Sequence, residues 1–283
     1  MSQGIIVNGD DNSLLFSTDT DNLFFQGKAT YISSYSDRYV DYVTFSSSFG
    51  ILYNLPFLVF YEYTINMPES VTTILPFVHN SVGKRVSIVS IAKNTTTQWA
   101  ILIVATTNPA VSVPNNSPTA FIPTVYVFAS YIDAAVNTGN GVNVFDSSGQ
   151  VKFTTNERPL IIKAFYEGDN PPSNLTNIRE AGGNLFYVGN SSNRYAKTIT
   201  WFSSSNTVPA IAKPAIFYSC SQTCVGRVTD RYIYESTAVF SPSTSQLGLE
   251  WACVDISLFS SRPAVQSTAN RFFAFIVDGA QYD

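Results

Sequence analysis

Val86-Ser87-Ile88-Val89-Ser90-Ile91-Ala92, then Asn94-Thr95-Thr96-Thr97, then Trp99-Ala100-Ile101-Leu102-Ile103-Val104-Ala105 is the stretch that decides the fold. Two runs rich in β-branched side chains flank a polar turn, which is how an antiparallel hairpin reads in sequence. Simple alternation turns Val86, Ile88 and Ser90 one way and Ser87, Val89 and Ile91 the other, so the first strand is apolar on much of both faces. A sheet of such strands must be covered on both sides, and that requires two layers.

The rest of the chain is written the same way. Helical periodicity is nearly absent, and short β-branched or aromatic runs recur every ~8–12 residues between Gly, Pro, Asn and Ser clusters. The expected class is all-β. Pro109, Pro114, Pro118 and Pro123 mark a stretch with no central strand, because proline removes a ladder donor. Ser, Thr and Asn make up 82 of 283 residues, while Lys+Arg number 16 and Asp+Glu 20, so the surface is polar with little charge. Aromatics at 14% argue against disorder. The net charge of −4 and the lack of a basic stripe exclude a phosphate-tracking surface, so nucleic acid is not an expected partner. Ile51–Tyr63 and Trp99–Ala105 are too short or broken to cross a bilayer, and Met1-Ser2-Gln3-Gly4 does not open a signal peptide. Synthesis in a cytosol is expected.

An internal repeat organises the sequence. Gly4-Ile5-Ile6-Val7 to Leu23 superposes without a gap on Gly141-Val142-Asn143-Val144 to Leu160 at an offset of 137. Gly4/Gly141, Val7/Val144, Phe16/Phe153, Thr18/Thr155 and Leu23/Leu160 are identical, and both copies hold a polar turn in the same place. Four later matches keep the same order. Val40–Ser46 answers to Ala196–Ser203, Leu55–Tyr61 to Lys213–Tyr218, Trp99-Ala100 to Trp251-Ala252, and Val125–Ala129 to Arg271–Phe275. The reading is two tandem antiparallel β-sandwich domains of similar topology, 1–136 and 141–283, joined at 137–140. A single large sandwich is the alternative.

Chemistry is sparse. His79 is the only histidine, which limits any Ser-His-Asp or Cys-His arrangement to one residue and excludes histidine-rich metal sites. At a predicted strand end, it reads as a hydrogen-bonded structural residue. Cys220, Cys224 and Cys253 are too few for a disulfide framework and wrongly spaced for zinc, so buried thiols are expected. Asp10-Asp11-Asn12 and Asp19-Thr20-Asp21-Asn22 suit turns better than calcium. No phosphate-binding loop and no G-x-S-x-G elbow occurs. Glu62, Glu235, Glu250 and Asp255 leave a paired-carboxylate glycosidase formally open. Tyr31, Tyr35, Tyr39 and Tyr42, with Tyr232 and Tyr234, could serve sugar or protein recognition, though core packing and interface explain them. No catalytic, cofactor-binding or metal-binding residue is assigned, and no cofactor is expected.

Gly141-Val142-Asn143-Val144-Phe145-Asp146-Ser147-Ser148-Gly149-Gln150-Val151-Lys152-Phe153-Thr154-Thr155 resembles the opening of small β-rich tail proteins of tailed bacteriophages, G-[VL]-x-V-[FY]-[ND]-x-x-G-x-x-x-F-[DT]-[ST]. The first copy departs from it: Asn8-Gly9 replaces the aromatic-Asn pair, and Asn12 the turn glycine. The resemblance implies a non-enzymatic structural part of the virion tail (tip, baseplate or fibre) made in the host cytoplasm. Its partners would be other tail proteins in a symmetric homo-oligomer, without membrane insertion. A receptor- or carbohydrate-binding module on the same particle, facing a host glycan or receptor, is the alternative. A glycan-degrading enzyme ranks third.

Overall fold

The computed structural model describes residues 6–8, 14–17, 22–35, 58–79, 85–106, 122–132, 141–145, 151–169, 186–187, 194–203, 208–218, 224–225, 232–255 and 271–283. The chain is all-β, and among the described residues the one helical element is a single 3-10 turn, Gly279–Tyr282. The first half supplies β1 (Ile6–Asn8), β2 (Leu14–Ser17), β3 (Phe24–Lys28), β4 (Thr30–Tyr35), β5 (Leu58–Asn66), β6 (Ile74–His79), β7 (Arg85–Lys93), β8 (Gln98–Thr106) and β9 (Thr124–Ala129). The second supplies β10 (Asn143–Phe145), β11 (Val151–Thr154), β12 (Ala164–Asp169), β13 (Phe186–Tyr187), β14 (Arg194–Ser203), β15 (Pro214–Tyr218), β16 (Cys224–Val225), β17 (Tyr232–Ser241), β18 (Gln246–Asp255) and β19 (Arg271–Asp278).

Two large antiparallel sheets result. Their orders are β12-β19-β15-β6-β9-β3 and β13-β14-β18-β17-β7-β8-β5-β4, with β16 on the side of β17. Read from each outer edge inwards, the halves repeat one order: β3-β9-β6 answers to β12-β19-β15, and β4-β5-β8-β7 to β13-β14-β18-β17. They meet at a seam where β6 pairs β15 and β7 pairs β17. Each large sheet therefore draws strands from both halves. The boundary at 137–140 lies outside the described residues and divides the strand order rather than the sheets.

The two layers enclose two apolar interiors. One gathers Val59, Tyr61 and Tyr63 of β5, Val86 and Ile88 of β7, and Ile101 and Ile103 of β8 against Val78 of β6 and Val125 and Val127 of β9. The other gathers Ala238, Phe240, Leu247 and Leu249 against Tyr166, Ile216, Phe272, Ala274 and Ile276. Burying each such large side chain contributes about 1.5–3 kcal/mol.

The hairpin that decides the fold forms as β7 and β8, with one correction. A bulge between Ile88 and Ser90 shifts the register, so Ile91 stands opposite Ile101 and packs with the Val86 side, while Ser90 is exposed. An extra residue on one strand reverses all later facing. The repeat at offset 137 is reproduced residue by residue in the small hairpins: Ile6↔Ser17, Val7↔Phe16 and Asn8↔Leu14 in β1–β2, Asn143↔Thr154, Val144↔Phe153 and Phe145↔Val151 in β10–β11. Both shift register at the same step.

The later matches need moving. By strand order β14 answers to β5, and β15 to β6, one strand on from where the sequence correspondences put them; residues 40–46 lie outside the described residues. Trp251 does not open a strand, since β18 begins at Gln246 straight after the turn. Gln98 and Gln246 are the true counterparts: Gln98 Nε2 donates to Asn66 Oδ1 at 3.4 Å, and Gln246 Nε2 to Ser203 Oγ at 3.1 Å.

Candidate interaction surface

One row of side chains crosses the outer face of the six-stranded sheet. Register places Phe165 (β12) beside Phe275 (β19) and Phe275 beside Phe217 (β15). The ring of Phe217 lies 6.0 Å from that of Phe77 (β6) across the seam. Phe77 stands opposite Tyr126 (β9), and Tyr126 opposite Lys28 (β3). The row is symmetric about the seam, Phe217 answering to Phe77, Phe275 to Tyr126 and Phe165 to Lys28, the last pair again 137 apart.

On the first half this face is covered. Gly279–Tyr282 lays Tyr282 on it, the ring 4.9 Å from Phe128 and 5.3 Å from Phe25. Tyr282 is buried, and desolvation pushes its phenol up to about 12. Its hydroxyl donates to Pro159 O and accepts from Ile161 N, both at 2.9 Å. Gly279 is required here by space, because a Cβ would stand 2.8 Å from the Tyr126 ring. Asp283 finishes the cover: its carboxylate meets Lys213 Nζ and Lys28 Nζ at 2.8 Å each and accepts from Tyr126 OH at 2.9 Å. Lys213, then Lys28, holds the Asp283 carboxyl well below the usual range, and the carboxylate in turn raises Lys213.

The β3 edge is closed as well. Phe25 N donates to Arg158 O at 2.8 Å, and Leu160 N to Leu23 O at 2.7 Å, so residues 158–160 lie along it. Gly27, at φ +128°, sits in a bulge there. On the second half the equivalent surface is open: Ile162 is 40% exposed, Phe165 45% and Phe273 43%. The rings of Phe165, Phe217 and Phe273 lie 5.3–6.2 Å from Phe275.

The residues singled out in the sequence are dispersed. His79 ends β6 at the seam, and its Nδ1 donates to Pro214 O at 2.7 Å. Burial lowers its pKa from 6.5, outweighing that hydrogen bond. Glu62 lies on β5 and accepts from Ser33 Oγ at 2.6 Å. Glu235 and Glu250 lie on β17 and β18, opposite Ala252 and Thr237, and Asp255 stands opposite Tyr232. Cys224 and Cys253 flank Tyr234 from the strands on either side, about 10 Å apart and too far to bridge. Tyr31 turns its ring edge-on to Tyr63 at 5.8 Å, so it packs on the interior. Cys220, Tyr39, Tyr42, Asp10-Asp11-Asn12 and Asp19-Thr20-Asp21 lie outside the described residues. Among the described residues no group of three or more His, Cys, Asp or Glu gathers where a metal could sit.

Sequence reasoning missed Lys28, Lys213, Tyr282, Asp283 and the phenylalanine row. The only sequence signal was the alternation Phe273-Ala274-Phe275 in a strand apolar on both faces, which implies a layer outside the sandwich. Fold and surface together define the class as an all-β, two-layer sheet protein with a partly covered third face. No protein-family model matches the chain, and neither a curated protein nor a solved structure matches it.

Proposed function

We propose that this chain is a structural component of the tail of a tailed bacteriophage, built from two copies of one β-sandwich unit and acting through contacts with other tail proteins. The observation that carries the reading is the duplicated opening hairpin. The motif 141–155 resembles tail proteins in sequence, and its strands pair in the same register as the divergent copy at 4–18. Low charge, a Ser/Thr/Asn-rich surface and an open aromatic face suit a part that works by touching other proteins. Immunogold electron microscopy of purified tailed particles, with antibody against the full chain, tests it. Label on the tail supports the reading, and particles that lack the chain in both micrographs and mass spectra overturn it.

A further inference from the structure

We propose that the edge of β12, beyond which no described strand lies, and the phenylalanine face beside it join two copies of this chain, β12 against β12 in antiparallel pairing, so that the six-stranded sheet continues into a second molecule. This deepens the assembly reading above by naming the surface, and rests on it in taking protein as the partner.

The two edges of the sheet carry the argument. β3 has Lys28 at its row position, a bulge at Gly27, and residues 158–160 along its open side. These are the devices by which sheet edges avoid pairing. β12 has Phe165 in place of Lys28, pairs β19 without a break over Ala164–Asp169, and has no described strand beyond it. Such an edge is a template for strand addition.

The occupant follows from charge and continuity. Lys163-Ala164-Phe165-Tyr166-Glu167-Gly168-Asp169 is basic at its start and acidic at its end. Antiparallel pairing with itself therefore sets each basic end beside the other's acidic end, a favourable cross-strand arrangement and the self-complementarity a two-fold contact needs. The face is also continuous with one already filled: Phe275 and Phe217 belong to the cluster that Tyr282 covers on the first half. Pairing across a two-fold would extend the aromatic row Phe217-Phe275-Phe165 into its copy. The chain already joins equivalent strands antiparallel once, at β6 and β15.

The test is sedimentation velocity of the full chain over a broad concentration series, with Phe165→Lys as the variant. This substitution copies the residue found at the same place on β3 and falls on a half-exposed side chain, so circular dichroism and Tm should match the parent. The parent is expected to dimerise and the variant to dimerise at least about tenfold more weakly. In hydrogen exchange, amides 164–169 of the parent should slow as concentration rises, and those of the variant should not. A parent that stays monomeric, or a variant that dimerises as well as the parent, overturns the proposal. If Phe165→Lys misfolds, the parent's exchange pattern decides alone, and concentration-independent exchange at 164–169 overturns it. A monomer found in tails removes the self-pairing and keeps the assembly reading, whereas a dimer absent from particles does the reverse.

Discussion

Lys28-Tyr126-Phe77 and Phe165-Phe275-Phe217 occupy equivalent places on one sheet and have opposite fates. The first trio lies beneath Tyr282 and Asp283, whereas in the second Phe165 is exposed and Phe275 and Phe217 are half-buried. Strand order and register are shared, so neither sets the difference. What sets it is a cover of five residues on one side and the exchange of lysine for phenylalanine at the edge. Two halves with one strand order thus each enclose an interior and use their outer faces differently, one in self-closure and one as exposed aromatic surface.

Removing the cover should break this contrast most strongly. Tyr282→Ala deletes a buried ring and two hydrogen bonds and should cost about 3–5 kcal/mol, read as a fall in Tm or denaturation midpoint. Phe273→Ala on the open half should stay within about 1 kcal/mol. Equal losses would mean that both faces are covered alike. Gly279→Ala comes next, at about 1–3 kcal/mol, because its Cβ meets the Tyr126 ring.

His79 sharpens the comparison at the seam. Its folded pKa lies below the unfolded value of 6.5, so the unfolded chain binds the extra proton first. Stability should fall as pH drops below 6.5, and the loss should level off once pH is under the folded pKa. The slope cannot exceed the one-proton limit, about 1.4 kcal/mol per pH unit. His79→Gln should flatten that slope in denaturation measured from pH 7 to 5. Asp283→Asn should have the smallest effect, under about 1 kcal/mol and reduced by salt, because the carboxylate is 40% exposed. Its contribution is complete above the ordinary carboxylate value of 3.8 and fades as pH falls below it. A large loss on Asp283→Asn at neutral pH would mean that charge, not the tyrosine, holds the cover.

These faces were legible in the sequence only in part. The all-β class, the hairpin at 94–97 and the offset of 137 could be read because turns and short-range alternation are local. The match of Val125–Ala129 to Arg271–Phe275 shows what was not. It sets Tyr126, which faces outwards, over Phe272, which faces in, and a slip of one residue exchanges the faces of a strand. The offset of 137 sets Phe165 against Lys28, but that the two stand at opposite edges of one sheet follows only from pairing across six strands, so the meaning of the exchange could not be read along the chain. Tyr282 has a role only where Phe25 and Phe128, more than a hundred residues away, present a surface to it.

The shortness of the seam has a consequence for how the molecule opens. Among the described residues its ladder consists of Ala215↔His79 and Ile216↔Val78 in one sheet and Ala238↔Val86 in the other, where β16 already occupies the first part of that side of β17. Among the described residues the two interiors are separate clusters, and a third cluster, Phe77, Tyr126, Phe128, Ala215, Val277 and Tyr282, crosses the seam on the outer face. Partial unfolding should therefore run interior by interior, and losing either one breaks the same few ladder bonds together with the outer cluster beneath Tyr282. Seam amides will then exchange at the rate set by the weaker half, while strands deep in the stronger one outlast them.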